Sequence, residues 1–394
     1  MMRYLCFVVG ILVLSQDAVS RGVASPSWLP AQREQMAPFL GTAPQLLPGS
    51  IQSSQASRSG SVTAQSVFVT PLQPVLASNG NNCASCHSTP GTGGTSNITV
   101  TRSQGADDSR NSVVLHSTDE ITPVPRNSIR AERVTISIMG DSYIEAVDEG
   151  QIREIMKRQR LASNGKIAGK IARAPALEAG GSPAALGKFG WKGQHSSLLS
   201  ACADSMLNEL GVPNRLYSAN KAPSKDADTY LNAIVAFVRS LPPPEPDRDL
   251  AATENSTMGR QVFSRIGCAL CHVPAMKTLP AGTPINGGTY RVPKQLGNRE
   301  FYPYSDFLLH DVGTGDGVLE AGTQEFVDPS TANRFRTPPL WGLRFRHWLM
   351  HDGKAVTPHQ AIMRHAGEAS DVVASYEKLT PKERYQLEQF LNSL

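Results

Sequence analysis

The stretch Gly267-Cys268-Ala269-Leu270-Cys271-His272 decides how the chain is read, and its pattern recurs upstream as Cys83-Ala84-Ser85-Cys86-His87. Two cysteines three apart lie on one face of a short helical turn, where both sulfurs can form thioethers to the vinyl groups of one haem. The histidine that follows then sits beneath the macrocycle with an imidazole nitrogen aimed at the iron. A CxxC pair alone also serves zinc or dithiol chemistry. Zinc, however, needs four ligands, and a redox dithiol needs no adjacent histidine. Four of the six cysteines fall in two copies of the full motif. Two covalently bound haem c groups are therefore expected, on Cys83 and Cys86 and on Cys268 and Cys271, with His87 and His272 as proximal iron ligands.

Working outward, 394 residues leave room for about two domains at ~100–200 residues each, one motif in each. Aromatic residues make up 6% and hydrophobic residues 40%, so haem would supply apolar bulk that the side chains lack. A macrocycle burying on the order of 500 Å² at ~25 cal/mol/Å² contributes roughly 12 kcal/mol gross. That rivals the net stability of a whole domain, ~5–15 kcal/mol, so the haem-free chain is expected to fold poorly. A net charge of +4, with no basic run interleaved with aromatics, argues against a nucleic-acid partner.

Arg3 precedes an apolar run from Tyr4 to Leu14, and Ala18-Val19-Ser20 offers small residues at a cleavage site. Residues 1–20 therefore read as a secretory signal peptide, too short for a membrane span. A periplasmic location follows, with no membrane span after leader cleavage. Cys6 leaves with the leader, and Cys202, on a helical stripe with Leu199, Met206 and Leu210, reads as a buried thiol. Residues 21–65, rich in Ser, Gln, Pro and Ala, read as a flexible N-terminal arm. A helix-like stretch from Val67 to Leu76 leads into an N-terminal haem c domain over 66–246. A C-terminal haem c domain spans 247–394, the two meeting at Pro242-Pro243-Pro244-Glu245-Pro246, a run that ends a helix and favours an extended spacer. The glycines after the first motif lack the Lys-Ser/Thr ending of a phosphate loop.

Helices are expected over about 148–160, around Cys202, over about 226–241 and from Gly259 to the second motif, with a small hairpin within 109–138. Thr357-Pro358-His359-Gln360 and Thr380-Pro381-Lys382-Glu383 carry the capping-box pattern and open the two closing helices. Phe237-x-x-Ser240-Leu241 and Phe390-x-x-Ser393-Leu394 hint at an internal repeat. The fold class is mainly α: two cytochrome c-like haem domains with long loops and little β-structure.

An iron with a second strong ligand mainly transfers electrons, whereas an open sixth position can bind peroxide or dioxygen. His365, one turn after Ala361 and Ile362 on a capped helix, faces inward and is the candidate metal ligand on the second haem's distal side. His351, before Asp352-Gly353, reads as lying near the haem edge. Arg334, Arg336, Arg344, Arg346 and Lys354 could pair with propionates. For the first haem His116, His195, Met139 and Met206 are all possible distal ligands, as is none. Glu145 is the candidate acid for moving a proton between peroxide oxygens. Trp191 and Trp341 are candidates for relaying electrons.

Several stretches carry a family resemblance: Cys83 to Gly94, Lys188-Phe189-Gly190-Trp191-Lys192, Cys268 to Pro274, Pro303 to Asp311, Arg336-Thr337-Pro338-Pro339-Leu340-Trp341-Gly342, and His351-Asp352-Gly353 through Ala369. On these the chain resembles the di-haem oxidoreductase family within the bacterial di-haem cytochrome c peroxidase superfamily. The resemblance implies two mostly helical domains facing each other across an interface. It places His365 where true peroxidases carry a methionine ligand. Relatives also bind calcium between the domains, partly through carbonyls ahead of the His-Asp-Gly turn. Here that segment, Arg346 to Met350, lacks the threonine and proline of the peroxidases, and Ile136 to Val147 departs from their apolar, glycine-rich pattern.

The activity this implies is reduction of hydrogen peroxide, or another small oxidant, with electrons from a periplasmic cytochrome c or cupredoxin. The alternatives are oxidation of a partner protein's side chain or an organic molecule, and electron transfer without catalysis.

Overall fold

The computed structural model describes residues 82–96, 98–104, 112–115, 129–180, 184–218, 222–223, 225–319 and 329–394. The expected leader, arm and leading helix-like stretch lie outside these residues, as does His116.

The chain enters through α1 (Cys83–Cys86), a single turn. The Asn82 side chain accepts from the Ser85 backbone N–H at 3.0 Å, while the Ser85 hydroxyl accepts from the Asn82 N–H at 3.4 Å. A three-stranded antiparallel sheet follows, in the order β2-β1-β3: β1 is Thr99–Gln104, β2 Ser112–Leu115 and β3 Ile129–Val134. The hairpin expected within 109–138 is thus not a hairpin. β2 and β3 both pair with β1, which satisfies its ladder groups on two edges, and the Thr101 hydroxyl donates to Glu132 across the β1–β3 pair at 2.6 Å.

Helices dominate thereafter: α2 (Asp141–Glu145), α3 (Glu149–Ala162), α4 (Leu198–Asn208), α5 (Ala227–Ser240), α6 (Arg248–Ala251) and α7 (Glu254–Arg265). Asp148, Ser197 and Thr253 cap α3, α4 and α7 by accepting first-turn N–H groups. A loop-rich span follows, closed by the two-residue pair β4 (Leu309–His310) and β5 (Phe335–Arg336). α8 (Pro358–Met363), α9 (Ser370–Glu377) and α10 (Pro381–Asn392) complete the chain. Thr380 and Glu383 form the full reciprocal box. At α8 Thr357 caps Gln360, but the Gln360 amide oxygen accepts from Val356 instead.

Two apolar clusters form. One gathers Tyr143, Ile152, Leu198, Met206, Leu231 and Phe237 from the first half. It also draws in Met276, Phe301, Phe307, Leu308 and Trp341, so this core crosses the proline run. Pro243 and Pro244 pack where a Cβ on Gly140 or Gly342 would stand, 3.0 and 2.8 Å away. The second cluster joins Phe263, Tyr304, Leu387, Phe390 and Leu391. Its helices α7 and α10 touch backbone to backbone: a Cβ on Gly259 would lie 1.9 Å from the Gln386 carbonyl oxygen.

Candidate functional site

At the first motif the helical turn carries Cys83 and Cys86 into a cavity of about 180 Å³ whose wall also includes His87, Met206 and Cys202. His87 Nδ1 lies 3.1 Å from the Gly94 carbonyl oxygen. A carbonyl can only accept, so Nδ1 carries the proton and Nε2 keeps its lone pair. Burial lowers the imidazole pKa to about 4, with the Gly94 bond opposing, so the ring stays neutral as a ligand must. The loop after the motif needs its glycines: a Cβ on Gly94 would sit 1.9 Å from the Thr89 carbonyl oxygen. Burial also raises the Cys83 and Cys86 thiols to about 12 and 11.

The second motif repeats this arrangement on different scaffolding. Gly267, at φ +102, starts the short turn that holds Cys268. His272 Nδ1 lies 3.1 Å from the Tyr304 carbonyl oxygen, and its pKa falls to about 4, by burial first and then by the charge of His365. Tyr304 and Phe307 hold φ values of +50 and +57, which cost ~1–3 kcal/mol each in bulky residues. Ser305 stabilises this bend by donating to the Thr337 carbonyl at 2.6 Å and accepting from the Phe307 N–H at 3.0 Å. Cys268, Cys271, His272 and His365 all line a cavity of about 210 Å³. His365 Nδ1 contacts the Ala361 carbonyl at 2.7 Å, which again leaves Nε2 with its lone pair. Two neutral imidazoles face one cavity.

The cavities share a wall. Val134, Thr135, Ile136, Ser137, Trp191 and Arg336 border both. Trp191 is held by its indole N–H, which donates to the Val134 carbonyl at 2.8 Å. It meets Phe335 and His351 edge-on, with ring centroids 6.2 Å away in each case. His351 is buried, stacks on Phe335 at 3.7 Å, and borders the second cavity. Trp341 packs near Phe301 in the first core and borders neither cavity.

Glu145 has a different place from that expected. It is 1% exposed and outside both cavity walls. Its carboxylate accepts from Arg239 at 2.8 and 3.0 Å, from the Leu198 N–H at 3.0 Å and from Asn286 at 2.9 Å. Burial alone would raise its pKa, but Arg239 holds it below the usual range. A carboxylate with its lone pairs so occupied ties α2, α4 and α5 together, away from both cavity walls. Asp141, four residues earlier, is the acid that reasoning from sequence missed. It lines the first cavity, accepts no hydrogen bond among the described residues, and is raised to about 7 by burial, with Arg336 opposing and Glu145 adding. The only local signal was an acid after Gly140 at the start of a helix.

His195 borders the first cavity, but Ser200 and Asp204 occupy its nitrogens at 3.3 and 3.5 Å. Among the expected propionate partners, Arg334 pairs with Glu368, Lys354 with Asp352, and Arg344 reaches the Leu394 carbonyl. Among the described residues Arg336 and Arg346 have no carboxylate within ion-pairing distance, and Arg336 NH1 is buried with no hydrogen-bond partner. Burial lowers each to about 10. Thr314 Oγ1, at the second cavity, is likewise orphaned. Buried cations and hydroxyls without partners are costly. Carboxylate-bearing groups in these cavities would satisfy them, and the residues present fit haem at both sites.

Calcium fits less well: the Arg346 guanidinium already donates to the Pro339 and Trp341 carbonyls at 2.7 and 3.0 Å. Among the described residues, Cys271, Asp306 and His310 form a compact group. It is not an oxygen cage of the kind calcium takes. His310 bridges two carboxylates, Asp306 and Glu368, both at 2.8 Å. Burial opposes its charge, but Asp306 raises its pKa well above the ordinary value.

Residues 218–394 match the profile described as di-haem oxidoreductase, putative peroxidase. No curated protein matches the chain. Among solved structures, Kuenenia stuttgartiensis hydrazine synthase pressurised with xenon is similar at 16% identity, covering 99% of this chain and 100% of that one, with a TM-score of 0.43. A MauG-like protein associated with microbial copper homeostasis is similar at 20% identity, over 49% of this chain and 57% of that one, with a TM-score of 0.28. At these scores neither likeness bears on the reaction.

Proposed function

We propose, from the match of residues 218–394 to the di-haem oxidoreductase, putative peroxidase family, that the chain is a periplasmic di-haem c-type oxidoreductase that reduces hydrogen peroxide. The observation that carries the reading is the paired design of the cavities. Each holds a CxxCH motif whose histidine keeps Nδ1 protonated against a carbonyl; the second adds His365, whose Nε2 keeps its lone pair, whereas His195 at the first has both nitrogens engaged.

Haem bound at each site would supply a redox-active iron. Cys83 and Cys86 would attach the first and Cys268 and Cys271 the second. His87 and His272 would hold the irons, with His365 as the second iron's other ligand and a peroxide-binding position at the first. Converting peroxide to two waters takes two electrons and two protons. Asp141, at the first cavity with a carboxyl near neutrality, can hold and return a proton there. Trp191 borders both cavities and stands where an electron would pass between them. The electrons would come from a small periplasmic cytochrome c or cupredoxin. Among the described residues no helix is long and apolar enough to cross a membrane.

The test is made on protein matured with the cytochrome c system. Mass spectrometry should show two covalent haems on a chain starting near Arg21, and ferric or half-reduced protein should change its spectrum on adding peroxide. His365→Ala should open a coordination position at one haem only and leave the other unchanged. Two low-spin haems inert to peroxide in every redox state would sink the enzyme reading in favour of an electron carrier. If His365→Ala alters neither haem, His365 is a packed core histidine.

A further inference from the structure

We infer that Arg336 is a charge shared by the two haem sites, a positioning residue whose guanidinium pairs with carboxylates brought into either cavity and so sets both redox potentials together. This rests on the two-haem reading above but goes beyond it, because nothing in that reading requires the two centres to share a protein charge.

Three observations carry it. Arg336 is 3% exposed and borders both cavities, whereas Arg346 borders only the second. The Arg336 backbone is fixed: it lies in β5, and its N–H donates to the Trp191 carbonyl at 2.7 Å. Its Nε donates to the Gly190 carbonyl at 2.8 Å, so the fork cannot swing away from the shared wall. Last, among the described residues its NH1 has no hydrogen-bond partner and no carboxylate pairs with it.

A buried guanidinium with no ion pair is costly, and here a second guanidinium adds to that cost. Arg346 is close enough that the Arg336 charge depresses its pKa further, after burial itself. Two buried cations face the cavities with no ion-paired acid among the described residues, an arrangement suited to carboxylates brought in with a bound group. Haem propionates are carboxylates, and Arg binds carboxylates bidentately. Asp141 and Asp306 feel the Arg336 field but do not pair with it. A cation held in low dielectric favours the reduced, less positive state of any iron beside it. One in the shared wall must do so for both.

The experiment is spectropotentiometric titration of the holoprotein and three variants, with haem counted in each. Arg336→Gln should lower both midpoint potentials, each one-electron equilibrium shifting at least tenfold, or ~59 mV. Arg336→Lys keeps the charge but loses the fork, so it should lower both by less. Arg346→Gln should lower only one, that of the haem whose ligation changes in His365→Ala. If the Gln variant fails to take up haem, the Lys variant decides. Movement of one potential alone, or of neither, overturns the inference while leaving the two-haem reading intact. A wild-type protein with fewer than two haems would overturn both.

Discussion

Asp141 and Glu145 show how far two acids four residues apart can diverge. Both are buried in the same short helix, yet one accepts from Arg239, Leu198 and Asn286 while the other accepts no hydrogen bond among the described residues. Asp141→Asn should therefore lower peroxide turnover by about 10²–10⁴-fold with both haems retained. Its folded pKa, about 7, stands above the ordinary 3.8. Such a group adds stability below pH 3.8 and loses it as pH rises through 7. The Asn variant should accordingly be more stable than wild type at pH 8, by on the order of 1–3 kcal/mol, with little difference at pH 4. Urea unfolding at the two pH values measures this. Glu145→Gln should do the reverse, costing ~3–5 kcal/mol by stranding Arg239 while sparing the first haem's spectrum. Unchanged turnover in Asp141→Asn would return the proton role to some other group.

At the scale of elements, the contact between α7 and α10 holds the second core. Gly259 allows it, because a methyl there would stand 1.9 Å from the Gln386 carbonyl oxygen, which is backbone and cannot step aside. Alanine normally favours a helix over glycine by ~1 kcal/mol. Here Gly259→Ala should instead destabilise the holoprotein by about 1–3 kcal/mol, as overpacking does. Thermal or urea unfolding would show it, and a neutral or stabilising result would mean that the helices do not approach so closely. The aromatic contacts among Phe263, Tyr304 and Phe390, at 5.3–6.1 Å between ring centroids, would be the first to loosen. Since Tyr304 aims its carbonyl at His272, a shift of α10 would reach the imidazole of the second motif.

For the molecule as a whole, the two cavities are large gaps in otherwise packed cores. At about 180 and 210 Å³ each exceeds the ~150 Å³ that houses a benzene ring, and the walls carry the orphaned Arg336 NH1 and Thr314 Oγ1. Haem would fill the gaps and satisfy the orphans. A chain in which all four motif cysteines are replaced by alanine should be cleaved by a protease far faster than the holoprotein under native conditions. Equal resistance would show that the protein packs without haem. Because the first core takes Met276, Phe301 and Trp341 from beyond the proline run, loss of one haem should be felt in both halves.

Local features were legible in the sequence: the CxxCH turns, the caps at Thr357 and Thr380, and the ends of α3 and α5 within a residue or two, although α7 begins five residues before the expected Gly259. Spacing along the chain suffices for these because a turn of helix and its cap involve neighbours only. Tertiary structure alone decided what depends on distant partners. It made Glu145 a tie between helices by bringing Arg239 and Asn286 to it, and left Asp141 at a cavity wall. It placed β1 between β2 and β3, and set Trp191 and Arg336 in a wall shared by both cavities. It also separated five similar cations into paired ones and the two, Arg336 and Arg346, that still face the cavities. A charge's role rests on what lies within a few ångströms of it, and that is fixed by packing across more than a hundred residues of chain.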